Sequence, residues 1–264
     1  MRITFLGTGT SHGIPMLGCD CAVCRSNDPR NNRLRPSVFV ETGVLNLLID
    51  ATPDFRTQAL RAGIRHIDAV LLTHTHADHY FGLDDLRAFI ERQGHKMPLY
   101  GSAKSLADVQ RVFPYACTET PAWPGLPSFS VHPIVPHERF EIADVKIRAL
   151  PVPHGQMTVF GFMLDDAFAY VTDCNAVPAD VVECIKGVPV LALDALRSRP
   201  HPTHLTIEQA VAAAGRIGAK RTFLTHLCHE ADHEATQKSL PPGVQVAYDG
   251  LMVEVNNAEV VCLA

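Results

Sequence analysis

The sequence has no apolar run long enough to span a membrane and no recognisable targeting segment at its beginning. A transmembrane helix needs about 20 consecutive apolar residues. Here the first apolar run, Ile3 to Leu6, passes directly into the glycine turn Gly7-Thr8-Gly9. A signal peptide would need a longer apolar core than this run provides. We therefore expect a cytoplasmic protein with no membrane partner.

The sequence also lacks an excess of positive charge. Its 264 residues include 23 Lys and Arg against 28 Asp and Glu, which gives a formal net charge of −5 and a pI near 6.3. These values argue against a broad basic surface for nucleic acid, and they leave open only a local basic patch. We therefore expect a small molecule, and not a nucleic acid, as the binding partner.

Linkers, low-complexity tracts and internal repeats are absent from the sequence as well. No shift in composition divides the chain, and its length is sufficient for one large domain with a substantial core. We therefore predict a single domain over residues 1–264.

Cysteine is better represented, with eight residues, but their surroundings do not indicate a disulfide framework. Four of them are scattered among apolar neighbours, as is typical of reduced cysteines in a protein that is not secreted. These four are Cys117, Cys174, Cys184 and Cys262.

Cys19, Cys21 and Cys24 are different, because they lie close together in a C-x-C-x-x-C pattern. The surrounding stretch, from Ser11 to Arg35, is rich in Gly, Pro, Asn and Arg and shows little periodicity. A loop of this length needs something to hold it. Three thiolates at this spacing converge readily on one tetrahedral zinc ion. We predict a zinc-held loop over about residues 11–35, with a fourth ligand from elsewhere in the chain.

The most informative stretch is LLTHTHADH, at residues 71–79. Its apolar beginning indicates a buried strand, and the polar cluster follows where that strand opens into a loop, the usual place for chemistry in α/β proteins. Imidazole and carboxylate groups are ligands for zinc, manganese or iron. His74 and His76 can turn toward one ion while Asp78 and His79 turn toward another. A chance polar cluster would explain two histidines, but not this density of ligand-type side chains.

This HxHxDH pattern after an apolar strand resembles the signature of the metallo-β-lactamase superfamily. The resemblance implies an α/β fold, the four-layer αββα metallo-β-lactamase sandwich, in which two mixed β-sheets pack face to face with helices outside. Zinc β-lactamases usually lack or alter the pair formed by Asp78 and His79, and flavo-diiron proteins have a glutamate at the position of His76. Both of these branches are therefore disfavoured.

Hydrophobic periodicity gives an order of elements that fits such a sandwich. In the first half we predict strands at 3–6, 37–42, 45–50, 69–72 and 99–101 and helices at 54–62, 82–92 and 102–112. We expect four successive strands, at 129–135, 145–150, 159–164 and 168–171, to build the second sheet. Further on we predict a helix at 178–185, a strand at 188–194, a helix at 207–217, a strand at 221–225, and a closing hairpin of 244–248 and 252–255. The Pro-rich segment 114–127, which contains Trp123, could be a substrate-facing loop or plain surface, and the sequence favours surface.

The resemblance also implies the ligands of two ions, each of which follows an apolar strand. They are His74, His76 and His154 for the first ion, Asp78, His79 and His226 for the second, and Asp173 as the carboxylate that bridges both. A single loop histidine is more often structural than a ligand, so the order and spacing of the set carry this assignment. In the superfamily, the aspartate at the position of Asp50 holds the metal histidines from behind. Alternatively, Asp50 could cap a helix or stabilise a turn.

Over nearly the whole chain, the similarity is to the PhnP-like phosphodiesterases of the carbon-phosphorus lyase pathway. These combine the HxHxDH site with a Gly-Cys-x-Cys-x-x-Cys insertion and a final Thr-His-x-x-His, which residues 225–229 reproduce. The resemblance implies that His229 completes a structural zinc site with Cys19, Cys21 and Cys24. Cys228 is a competing candidate for the fourth ligand.

His204 precedes a predicted helix, as does the histidine that protonates the leaving group in PhnP-like and tRNase Z-like members. Histidine suits this task because its ordinary pKa is close to neutral. His201 is near enough to be mistaken for it. Thr206 and Glu208 give the matching helix start and favour His204.

Together these features predict a metallo-hydrolase that cleaves phosphoric diesters. The resemblance implies that a hydroxide bridging two divalent ions, Mn²⁺ or Zn²⁺ with iron as a further option, attacks a small phosphodiester. Asp78 or Asp173 would steer the hydroxide, and His204 would act as general acid. The resemblance also suggests 5-phosphoribosyl 1,2-cyclic phosphate as substrate. A homodimer is expected by analogy.

Three other functions share part of this signature. A tRNase Z-like ribonuclease would use the same histidines, but we find neither an arm insertion for tRNA nor a basic stretch interleaved with aromatic residues. A thioester hydrolase of the glyoxalase II kind would leave His204 and the cysteine loop without a purpose. A non-catalytic, metal-stabilised binding protein is the alternative outside enzymes, and the complete set of ligands argues against it.

Overall fold

The computed structural model describes residues 1–119, 123, 125–256 and 259–263. Its strands are β1 (Arg2–Gly7), β2 (Ser37–Glu41), β3 (Asn46–Ile49), β4 (Ala69–Leu71), β5 (Met97–Ser102), β6 (Phe129–Ile134), β7 (Arg139–Ile142), β8 (Val145–His154), β9 (Met157–Leu164), β10 (Phe168–Val171), β11 (Val190–Asp194), β12 (Arg221–Thr225), β13 (Val244–Val246), β14 (Met252–Asn256) and β15 (Glu259–Leu263). The helices are α1 (Phe55–Ala62), α2 (Ala77–Tyr80), α3 (Arg87–Gln93), α4 (Ala103–Val112), α5 (Ala179–Cys184), α6 (Ile207–Ile217) and α7 (His233–Ser239).

The strands form two mixed sheets. The first has the order β15-β14-β1-β2-β3-β4-β5-β6, and the second has the order β13-β12-β11-β10-β9-β8-β7. Strands β3 to β6 pair in parallel in the first sheet, as do β10 to β13 in the second. Parallel strands end at a common edge, so the segments that follow them are brought together.

Alternating side chains along the strands explain the layers. In β3, Leu47 and Ile49 point into the core between the sheets, whereas Leu48 packs with residues of α1, α3 and α4. In the second sheet, Ala192 of β11 belongs to the same central core, whereas Leu193 packs with residues of α5 and α6. Each sheet therefore buries both faces, one against the other sheet and one against helices. The predicted four-layer αββα sandwich is confirmed.

Two predictions about strands are wrong. The strand that begins at Phe129 was predicted in the second sheet, but it is β6, at the edge of the first sheet beside β5. Strands β13 and β14 do not form a hairpin, because β13 pairs with β12 and β14 pairs with β1. Between them, the buried carboxylate of Asp249 accepts hydrogen bonds from the backbone N–H groups of Thr8 and Leu34. These contacts fix the point where the chain passes from one sheet to the other, which a local turn pattern cannot reveal.

Most other local predictions agree with the structure to within a few residues. The helix predicted at 82–92 is α-helical only from Arg87, because Phe81–Leu86 forms a 3-10 helix. Strands β7 and β15 and helix α7 were not predicted.

Helix α6 spans the predicted 207–217, begins with a capping box of Thr206 and Gln209, and ends at Gly218 with φ 68°. In the Pro-rich segment, residues 120–122 and 124 lie outside the described residues, and Trp123 is 63% exposed. Within the described ranges, no helix combines the length and apolar character required to cross a bilayer.

Candidate metal centre

The polar side chains of the site follow strand ends that meet at one edge of the sandwich. Asp50 follows β3, Asp173 follows β10, and His226 follows β12. All three have left-handed backbone conformations, with φ of 62°, 53° and 63° respectively. Positive φ is uncommon outside glycine, and such strained residues cluster at functional sites. The strand ends therefore place these side chains by way of tight, specific turns.

The two carboxylate oxygens of Asp173 face two different pairs of histidines. Oδ2 lies 3.8 Å from His74 Nε2 and 3.9 Å from His154 Nε2. Oδ1 lies 3.3 Å from His79 Nε2 and 3.2 Å from His226 Nε2. The carboxylate thus stands between two groups of imidazoles, as a bridging ligand would.

His76 and Asp78 complete the two groups. The His76 ring centroid lies 4.5 Å from that of His74 and 5.0 Å from that of His154. Asp78 Oδ2 lies 3.5 Å from His79 Nε2 and 3.8 Å from His226 Nε2. The structure therefore brings together all seven residues that the sequence predicted as active-site ligands.

The donor atoms fit metal ions. The Nε2 atoms of His74, His79 and His226 are buried and make no hydrogen bond within the described part of the chain. An unsatisfied buried polar atom costs roughly 1–3 kcal/mol, and a bound cation would satisfy it. Imidazole and carboxylate donors suit zinc, manganese or iron. Two clusters that match the predicted ligand sets could each hold one ion: His74, His76, His154 and Asp173, and Asp78, His79 and His226. A third group, Asp173, Asp194, His204 and His226, overlaps with both.

In three of the five imidazoles, the opposite nitrogen, Nδ1, contacts a polar partner on the side away from the candidate ions. His79 Nδ1 donates to Asp50 Oδ2 at 2.7 Å, His154 Nδ1 donates to the Thr203 carbonyl at 3.0 Å, and His74 Nδ1 lies 3.0 Å from Thr73 Oγ1. Such partners fix the ring orientation and leave Nε2 for an ion. The contact predicted for Asp50 is confirmed for His79.

Electrostatics favour the protonation states that metal binding requires at His74, His154 and Asp173. Burial lowers the pKa of His74 well below its ordinary value and also lowers the pKa of His154. Burial acts to raise the pKa of Asp173, but the neighbouring His226 and His79 imidazoles hold that pKa well below its usual range. Neutral imidazoles and an ionised carboxylate are the forms that bind a divalent cation.

At His79 and His226, the electrostatics act in the opposite direction. Burial acts to lower the pKa of each ring, but the Asp173 and Asp78 carboxylates hold it above its ordinary value. A bound cation would therefore have to displace a proton there.

Asp194 is a site residue that the sequence analysis missed. Its Oδ1 accepts from His204 Nδ1 at 3.2 Å, and its Oδ2 accepts from the backbone N–H of Leu205 at 2.9 Å. The His204 ring stacks on His226, with centroids 4.7 Å apart, and lies 5.1 Å from the ring of His201. The sequence feature that could have identified Asp194 is its position at the end of the apolar strand β11, since Asp50 likewise follows the apolar strand β3.

The three cysteines meet His229 in a second cluster. His229 Nδ1 lies 3.2 Å from Cys19 Sγ and 3.4 Å from Cys21 Sγ, and Cys24 completes a set that could hold one ion. The N–H of Cys24 bonds to Cys21 and lowers the pKa of that thiol to about 6, whereas burial raises the pKa of Cys24 to about 11. The competing Cys228 lies outside this set, and its sulfur accepts instead from the N–H of Glu230.

The cysteine-bearing loop is also tied to the site by hydrogen bonds. Thr10 N donates to the Leu227 carbonyl, and Leu227 N donates to the Thr8 carbonyl, both at 3.0 Å. At the other end of the loop, the buried Arg33 donates from Nη1 to Thr8 Oγ1 and to the Ala247 carbonyl. The loop therefore lies against the segment that carries both His226 and His229.

A family described as a beta-lactamase superfamily domain matches residues 45–227. The chain belongs to the metallo-β-lactamase superfamily. This metallo-hydrolase superposes on the crystal structure of a diphosphatase from the PhnP family with a TM-score of 0.90 and 43% identity, over 100% of this chain and 99% of that one. The resemblance seen in the sequence motifs is thereby confirmed.

Two curated relatives of this metallo-β-lactamase superfamily member carry other names. An octanoyltransferase of Porphyromonas gingivalis is 39% identical over 254 residues, which make up 95% of this chain and 51% of that protein. The chain thus spans about half the length of that relative. Coenzyme PQQ synthesis protein B of Methylobacterium radiotolerans is 34% identical over 230 residues, 74% of this chain and 72% of that protein.

Proposed function

We propose that this metallo-hydrolase is a binuclear phosphodiesterase that acts on a small phosphodiester. One observation carries the proposal: the two oxygens of Asp173 are divided between two groups of imidazoles, at 3.2–3.9 Å. A site for two ions is the arrangement that phosphatases and nucleases use for in-line displacement at phosphorus. The similarity to a diphosphatase of the PhnP family supports a phosphoryl-containing substrate.

In this proposal, each ligand residue has a defined task. One ion would be held by His74, His76 and His154, the other by Asp78, His79 and His226, and both by Asp173. When bound, the two ions would activate a water molecule and neutralise charge on the phosphoryl group. Asp78 or Asp173 would accept a hydrogen bond from that water and steer it.

His204 would protonate the leaving oxygen as the P–O bond breaks. Its Nδ1 is engaged by Asp194, so Nε2 is the atom that delivers the proton. The Asp194 carboxylate fixes the orientation of the ring. His201 lies next to this ring but has Thr203 as its partner, and we assign it no part in proton transfer.

The cluster of Cys19, Cys21, Cys24 and His229 is proposed as a structural zinc site. Mostly thiolate sites with four protein ligands are closed, and they stabilise the fold without taking part in chemistry. Here the ion would hold residues 11–35 against the segment that carries His226.

The substrate proposal can be tested by product analysis with purified protein and a panel of cyclic and linear phosphodiesters. The panel includes 5-phosphoribosyl 1,2-cyclic phosphate, a diester of diphosphate and a short RNA. We expect cleavage of small diesters, with the RNA much poorer. Preferred cleavage of the RNA would favour a ribonuclease, and binding without turnover of any diester would favour a non-catalytic protein.

Four further expectations stay predictions: the homodimer, the cytoplasmic location, the single domain over residues 1–264, and the choice among Mn²⁺, Zn²⁺ and iron as active-site metal.

A further inference from the structure

The loop between β4 and α2 carries two candidate ligands of the first ion, and its backbone is held only at its ends. Phe160 N donates to the Thr73 carbonyl at 3.1 Å just before the loop, and His79 N donates to the His76 carbonyl at 2.9 Å just after it. Between these points, the backbone groups of residues 74 and 75 make no hydrogen bond to any described residue. The centre of the loop therefore depends on side chains for its position.

His76 is the least supported of the three imidazoles proposed for the first ion. His74 and His154 are buried, whereas His76 is exposed. The Nδ1 atoms of the two buried rings contact Thr73 and Thr203, but the His76 ring makes no hydrogen bond within the described part of the chain. The position of this ligand is therefore set by the loop that carries it.

Thr75, which lies between His74 and His76 in the sequence, anchors the centre of this loop. Its Oγ1 donates to Asp108 Oδ2 at 2.9 Å. Asp108 lies on α4, which packs onto the first sheet through Leu106 and Val109. The hydrogen bond therefore ties the loop to a helix that is itself fixed by the core.

Two cations of the same helix hold Asp108 in place. Lys104 Nζ donates to Oδ2 at 2.8 Å, and Arg111 Nη2 donates to Oδ1 at 3.4 Å. The hydrogen bonds from Lys104 and Thr75 lower the pKa of Asp108, so the carboxylate is ionised at neutral pH. Hydrogen bonds to an ionised acceptor are roughly twice as strong as those between neutral groups. Thr75 thus has a strong acceptor at a fixed position.

We propose that Asp108 is a positioning residue for the metal centre: through Thr75, it fixes the loop that presents His76 to the first ion. The inference rests on the proposed binuclear function and adds to the site a residue of α4 that is not a ligand. Groups that orient metal ligands typically change metal affinity by about 10- to 100-fold. Because Asp108 acts through Thr75 and the backbone, we expect an effect at the lower end of this range.

The experiment measures stepwise Mn²⁺ binding to mildly chelated protein by competition with a chromophoric chelator. Thr75→Val removes the hydroxyl and nearly keeps the shape of the side chain, Thr75→Ser keeps the hydroxyl, and Asp108→Ala removes the acceptor. Thr57→Val, at an exposed position of α1, is the matched control for the change of residue type. His76→Ala identifies which of the two binding steps belongs to the first ion. Turnover of bis(p-nitrophenyl) phosphate is measured in the same samples.

Thr75→Val and Asp108→Ala should each raise the dissociation constant of the step that His76→Ala weakens by about tenfold, and leave the other step nearly unchanged. Thr75→Ser should bind both ions almost as tightly as the wild type. The double variant Thr75→Val/Asp108→Ala should bind no more weakly than the worse single variant, because both changes remove the same hydrogen bond. Turnover of these variants should be low at subsaturating Mn²⁺ and recover at saturating Mn²⁺.

Mn²⁺ binding in Thr75→Val and Asp108→Ala that equals that of Thr57→Val would overturn the positioning role. Equal losses in both binding steps, or losses that multiply in the double variant, would overturn it as well. The phosphodiesterase is judged separately on the wild type. Wild-type protein that binds both ions but cleaves no phosphodiester would overturn the proposed function, while selective loss of the first ion in Thr75→Val and Asp108→Ala would still uphold the positioning role.

Discussion

Asp194 Oδ1 lies 3.2 Å from Nδ1 of His204 and 3.7 Å from Nδ1 of His226. One buried carboxylate therefore stands behind both the proposed general acid and a candidate ligand of the second ion. Since the rings of His204 and His226 also stack, the three side chains form one packed unit. In the proposed mechanism, this unit would join proton delivery to metal binding.

Asp194→Ala should lower turnover of an alkyl phosphodiester by roughly two orders of magnitude or more, because His204 loses the group that orients it. The double variant Asp194→Ala/His204→Ala should be scarcely slower than the worse single variant, since residues that act as a unit are not additive. Steady-state kinetics of the three variants measure this, with Asp180→Ala, 61% exposed, as the control. Losses that multiply in the double variant would show that Asp194 works independently of His204.

His204→Ala should keep its metal content while turnover falls by roughly two to four orders of magnitude with a poor alkoxide leaving group. With a nitrophenolate, which leaves without a proton, the loss should be much smaller. His201→Ala is the matched control, because its ring lies 5.1 Å away. An equal loss on both substrates would assign His204 to positioning the phosphate, and leaving-group dependence in His201→Ala would identify His201 as the acid.

Cys24→Ser should reduce the metal content from three ions per chain to two and lower the Tm by roughly 5 °C or more, because the folding energy supplied by a structural zinc is lost. Turnover should decline less than stability does. Elemental analysis and calorimetry measure both effects, with the exposed Cys262→Ser as control. An unchanged metal content in Cys24→Ser would contradict the proposed structural zinc site.

His233 should make the fold sensitive to acid. Burial, together with the nearby Arg33, lowers its pKa from 6.5 to about 4, and Arg33 Nη2 lies 3.2 Å from His233 Nδ1. Because the unfolded chain takes up the proton first, stability falls as the pH drops from about 6.5 toward 4. The loss should be about 3 kcal/mol. Urea unfolding at several pH values should show a flatter profile for His233→Gln, and parallel profiles would contradict this.

Much of the site could be predicted from the sequence, because its signals are local. The HxHxDH run and the C-x-C-x-x-C run each lie within a few residues, and the structure gathers both as expected. Asp194 was missed because an aspartate at a strand end has many roles, and only the tertiary contact with His204 distinguishes it. The placement of β6 and the separation of β13 from β14 were missed for a related reason. A strand pattern shows which faces are buried, but not which strand will be the neighbour.

The central claim, that two exchangeable ions bridged by Asp173 drive phosphodiester hydrolysis, is tested most directly by metal titration. Mildly chelated protein is reloaded with Mn²⁺ or Zn²⁺ while bound metal and turnover of bis(p-nitrophenyl) phosphate are measured in the same samples. Turnover should saturate at two added ions per chain, above one resistant ion, and a folded Asp173→Ala variant should stay inactive at every metal concentration. Full turnover at one added ion, or turnover in Asp173→Ala, would contradict the account.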